Sequence, residues 1–166
     1  MNNQTKLQLI EAANENDGFA LTLLGVLLVN GRQEVEDGVN RIFFAADAKN
    51  VMWAKNIKRY LQAFNPWELP IHHYALVDSD ACEQLEIYSE EGNIWAMTIL
   101  GDLYYQGKVT VQNRTEAATL LNNAANKGCL FAKELIEEYG IQRQYSFASD
   151  ILSKFKDKDT SRFWLK

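Results

Sequence analysis

Four short stretches of this 166-residue chain place small residues at one spacing, and that pattern restricts the fold more than any other feature. Residues 124–132 read AANKGCLFA, with Ala124, Ala125, Gly128 and Ala132. Residues 12–20 read AANENDGFA, with Ala12, Ala13, Asn16 and Ala20. Residues 46–54 carry Ala46, Asn50 and Ala54, and residues 88–96 carry Gly92 and Ala96. The last alanines of the four lie 34, 42 and 36 residues apart. The third slot holds Asn, Asn, Gly and Gly, which tolerate the left-handed backbone that ends a helix. Each stretch therefore marks one helix stopping and the next starting. Small side chains on both sides let the two helices cross closely.

A second signature follows two of the marker alanines. After Ala20 come Leu24-Gly25, Leu28 and Gly31; after Ala96 come Leu100-Gly101, Tyr104 and Gly107. Both fit A-x3-L-G-x2-(L/Y)-x2-G. Apolar or small residues stand seven and four before the small pairs, as Val39 and Ile42 before Ala46 and Ala117 and Leu120 before Ala124. That is the spacing of one buried helical face. Breakers are scarce, with nine glycines and two prolines, Pro66 and Pro70, in one segment. The pattern predicts an all-α chain with helices over about 4–14, 18–30, 37–49, 51–64, 79–91, 94–106, 114–127, 130–139 and 145–156. Ser79 or Asp80 is expected to cap the fifth, with Glu83 completing a capping box.

The unit 96–132 resembles a Sel-one-like repeat, a tetratricopeptide-related α/α hairpin, through Ala96, Leu100, Gly101, Tyr104, Gly107, Ala117, Ala124, Ala125, Gly128 and Ala132. The unit 20–54 is a degenerate copy, with Asp47 at the second alanine. The unit 54–96 departs further: Arg59 replaces the glycine of the Leu-Gly pair, and NPWELPIHHYALV (65–77) interrupts it. Half-units at 4–16 and 132–156 are weaker. The resemblance covers most of residues 4–140. It implies a single domain, a right-handed superhelical solenoid of three to four hairpins in units about 4–30, 18–54, 54–96, 96–132 and 130–156, with a tail at 157–166. It also implies a scaffold or adaptor without shared catalytic residues.

Charge and cysteines narrow the function classes. Seventeen basic and 22 acidic residues give a net charge of −5. Nucleic-acid binding calls for a basic stripe instead. Cys82 and Cys129 lie far apart without a CxxC spacing, so neither a disulfide framework nor a zinc pattern is expected. No apolar run suits a signal peptide or a membrane span, so the expected location is the cytoplasm. The sequons at Asn3 and Asn113 read better as helix starts.

The residue before each marker alanine is aromatic: Phe19, Trp53, Trp95 and Phe131. In a stacked array these form a ladder, either an anchor for a partner on the concave face or filler between repeats. Thr22, Asn56, Thr98 and Glu134, then Val26, Tyr60, Asp102 and Glu138, follow at helical spacing on roughly the same face. They suit a hydrogen-bonding groove for a peptide, or an ordinary solvated face. The insertion carries Trp67, Ile71, Tyr74 and Leu76 and is too apolar for simple disorder. It is expected to pack on the array and present Trp67, His72 and His73. Metal binding by the His pair lacks further ligands at proper spacing. A Cys82–His73 nucleophile lacks an orienting group. The run 78–91 holds acids including Asp80, Glu83, Glu86 and Glu90, either a docking patch for a basic partner or a solvated helix face.

The set expected to bind a partner is therefore Phe19, Trp53, Asn56, Tyr60, Trp67, His72, His73, Trp95, Thr98, Asp102, Tyr105 and Phe131. The expected function is protein or peptide binding without catalysis, cofactor or metal, as an intracellular adaptor. The alternative is a small immunity protein that neutralises a toxin, a basic one suiting the acidic surface. A hydrolase-type enzyme is the remote third.

Overall fold

The computed structural model describes residues 1–65, 71, 74, 76–107 and 111–145. These form eight helices and no strand: α1 (Asn3–Asn14), α2 (Gly18–Gly31), α3 (Val35–Asp47), α4 (Met52–Ala63), α5 (Ser79–Glu90), α6 (Ile94–Gln106), α7 (Arg114–Asn126) and α8 (Leu130–Glu138). The expected ninth helix and the tail lie outside the described residues, as do Trp67, His72, His73 and most of the insertion.

The small-residue stretches act as their chemistry requires. Asn16, Asn50, Gly92 and Gly128 all have positive φ, at 66°, 55°, 93° and 98°. The four marker alanines are fully buried at the start of the next helix. Helix starts are closed by side chains: Asn2, Asp17, Asp78, Asn93 and Asn113 each accept a backbone N–H from the first turn. The cap of α5 is thus Asp78, not Ser79 or Asp80.

Glycines stand where the helices of each hairpin pack. A Cβ on Gly38 would lie 2.7 Å from the Gly25 carbonyl oxygen, and one on Gly25 would lie 2.8 Å from that of Gly38. In the second hairpin a Cβ on Gly101 would meet Leu121 Cγ at 2.9 Å. The Leu-Gly signature is thus a contact point between α2 and α3, and again between α6 and α7.

The helices do not run on as an open array. Each touches the next from α1 to α8, α2 also touches α6, and α8 returns to touch α1. The halves α1–α4 and α5–α8 repeat one another. Gln84 of α5 accepts from the Met52 N–H (2.7 Å) and donates to the Asn50 carbonyl (2.8 Å). Gln8 of α1 accepts from the Leu130 N–H (2.8 Å) and donates to the Gly128 carbonyl (2.8 Å). It is one clamp made twice, once from α5 to α4 and once from α1 to α8. Asn93 Nδ2 donates to Asp17 Oδ2 at 2.7 Å, joining two residues that cap equivalent helices. Reciprocal contacts and a residue meeting its own counterpart are the pattern of a two-fold interface rather than of head-to-tail stacking.

Candidate functional site

The aromatic row divides. Phe19, Trp53 and Trp95 are buried, at 2%, 1% and 2% exposure. They are core residues and offer a partner no surface in this conformation, which corrects their expected role. Phe19 packs edge-on against Tyr88 of α5, with centroids 5.1 Å apart, and Trp53 lies 5.8 Å from Tyr74. Phe19 is covered from α5 and Trp53 from the inserted segment at Tyr74, so neither ring faces an open groove. Phe131 is half-buried against the same core.

The polar row also turns inward, apart from Glu138, which is exposed. Thr22 and Thr98 are buried and donate to carbonyls of their own helices, Gly18 and Ile94, at 2.7 Å each. Thr98 Oγ1 also sits 3.2 Å from Cys129 Sγ. Thr98 is therefore interior, not a groove residue. Asn56 is half-buried and donates to the Leu76 carbonyl at 2.9 Å. Its counterpart Glu134 accepts from Thr5 Oγ1 and the Asn2 N–H. Burial alone would raise the Glu134 carboxyl, but these hydrogen bonds outweigh it and hold the carboxyl below the usual range. Tyr60 is half-buried and packs on Phe64, with centroids 4.9 Å apart.

Asp102 is buried at 4% exposure and gathers a cluster that its surface assignment did not foresee. Tyr74 donates to Oδ2 at 2.8 Å, and Gln106 and Tyr139 donate to Oδ1. Tyr105 stacks on Tyr139, with centroids 3.8 Å apart and planes within 10°. Three neutral donors stand in for water around the carboxylate and tie the insertion, α6 and the end of α8 together. Burial, then the Asp102 charge, raises the Tyr74 phenol well above its usual value. The matching residue of the first half is Val26, so this cluster belongs to one half only.

The cysteines are packing residues. Burial pushes the Cys82 thiol up, with Glu86 and Asp78 adding to it, and burial likewise raises Cys129. Raised thiols are poor nucleophiles. The acids of α5 named above are exposed, and Ile87 (49%) and Tyr88 (37%) are exposed among them.

An apolar gap lies elsewhere. A gap of about 300 Å³ opens between α1, α2 and the start of α3. Leu9, Ile10, Leu24, Leu27 and Leu28 wall it, and Lys6, Gly31, Gln33 and Glu34 form its rim. Ile10 is 37% exposed, and neighbouring Leu7 is 60% exposed. In the second half, Tyr104 of α6 corresponds to Leu28, and Glu86 of α5 corresponds to Ile10. There the Tyr104 hydroxyl donates to Glu86 Oε1 at 2.8 Å, bridging the two helices. Burial and Glu86 raise that phenol to about 12. Sequence reasoning missed the gap because its lining reads as ordinary helix core; the signal was Leu28 standing where the other half has tyrosine.

Among the described residues no helix is long and apolar enough to cross a membrane. No protein-family model, no curated protein and no solved structure matches the chain.

Proposed function

We propose that the chain is a non-catalytic protein-binding module, an adaptor of the cell interior that holds a protein or peptide. The observation that carries this reading is the apolar surface at α1, where Leu7 and Ile10 are exposed beside a gap walled by leucines. Exposed apolar surface bordered by polar groups marks interaction sites. The Sel-one-like resemblance supports the same class. The contact surface in this reading is the outer side of α1 and α2, not the aromatic ladder.

A second reading, an inhibitor of a basic toxin, draws on α5, where Asp80, Glu83, Glu86 and Glu90 surround exposed Ile87 and Tyr88. Charge complementarity of this kind speeds encounter with a basic partner.

Affinity capture with the tagged full-length chain tests both, with Leu7→Glu/Ile10→Glu and Glu83→Lys/Glu86→Lys as paired baits. A partner captured by the wild type and lost with the α1 variant supports the adaptor surface. Loss with the α5 variant supports the inhibitor surface. Capture that no bait changes, or none at all, rejects the binding reading.

A further inference from the structure

The two halves of the molecule are built alike but finished differently. In the second half a phenol ring crosses from α6 to α5 and ends in the hydrogen bond from Tyr104 to Glu86. In the first half the same position is Leu28, which stops short, and its opposite number is Ile10, which has no acceptor. What remains is the gap of about 300 Å³. Its walls are aliphatic, and a dry aliphatic cavity of about 150 Å³ already takes up a single benzene ring. Small-molecule sites run from about 300 to 1,000 Å³, so the gap suits one ring rather than a large ligand.

We propose that the gap between α1, α2 and the start of α3 receives an aromatic side chain from a partner protein. The ring would lie between α1 and α2 as the Tyr104 ring lies between α5 and α6, where its hydroxyl reaches Glu86. Aromatic residues are the usual anchors of interfaces, because they bring large area at low entropic cost. This proposal rests on the protein-binding reading above and names the anchor.

The test uses p-cresol and toluene, the side chains of tyrosine and phenylalanine, as probes of the full-length protein by methyl NMR. The expected result is saturable shifts at Leu9, Ile10, Leu24 and Leu28 with either probe. Leu28→Tyr, which puts a ring into the gap from α2, should weaken binding about tenfold or more, equivalent to about 1.4 kcal/mol. Ile10→Glu, on the exposed side of α1, gives the same test if Leu28→Tyr does not fold. Absence of shifts, shifts centred elsewhere, or binding that survives both variants overturns the proposal. Partner capture that persists while the probes fail removes the anchor alone. Capture that fails while the probes bind removes the protein-binding reading and this partner assignment with it.

Discussion

Replacing Tyr74 by phenylalanine removes one oxygen from the interior and leaves the ring against Trp53. The lost atom is a donor to the buried Asp102 carboxylate at 2.8 Å, in a residue only 6% exposed. Hydrogen bonds to charged groups contribute about 1.5–3 kcal/mol, and water cannot reach this site to replace the donor. For a chain of this size 1 kcal/mol corresponds to about 2–4 °C, so Tyr74→Phe should lower Tm by about 3–12 °C. The informative measurement is a double-mutant cycle by urea unfolding with Asp102→Val, the residue type of the first half. In that background the Asp102 acceptor is gone, and Tyr74→Phe no longer removes a bond to a buried charge. Its cost should then fall, giving a coupling of about 1.5 kcal/mol or more. Equal cost of Tyr74→Phe in both backgrounds would refute the assignment of the hydroxyl to Asp102.

Other changes probe the packing and the closure. Gly38→Ala gains about 1 kcal/mol of helix propensity, but its Cβ would meet the Gly25 carbonyl at 2.7 Å, and overpacking costs about 1–3 kcal/mol; thermal unfolding should show a net loss. Gly31→Ala, with no atom within 4 Å of its Cβ, should be neutral or mildly stabilising in the same assay. Gln8→Ala and Gln84→Ala each remove two hydrogen bonds of the same clamp, so their costs in urea unfolding should match, at about 1–3 kcal/mol each. The folded-state pKa of Tyr74 is raised above 10.0, the value of the free phenol. The unfolded chain therefore releases that proton first, and stability should be intact below about pH 10 and fall as pH rises above it. Tyrosinate absorbance followed alongside circular dichroism would show ionisation coinciding with unfolding.

The helix ends were legible because backbone chemistry fixes them locally. Asn16, Asn50, Gly92 and Gly128 all take positive φ, which Asn and Gly accept whatever packs around them. The role of Trp53 and Trp95 was not legible in the same way. An aromatic side chain at a repeat position is equally suited to a groove and a core, and which it lines depends on how distant units meet. Here that meeting rests on Gln8, Gln84, Asp17 and Asn93, polar residues that read as solvated surface until their partners are in place. The Asp102 cluster was hidden for a related reason. Its donors Tyr74 and Tyr139 lie 28 and 37 residues away in sequence, and no periodicity links them.

The return of α8 onto α1 bears on how such a chain can vary. An open stack grows by inserting another unit, and its terminal units need a polar outer face to remain soluble. Here α1 and α8 cover one another through the Gln8 clamp, so a hairpin inserted against either would have to displace that contact. Variation is easier in what each half does with its own copy of a position. Leu28 and Tyr104, or Val26 and Asp102, are instances of that freedom. Two matched halves diversify by letting twin positions diverge.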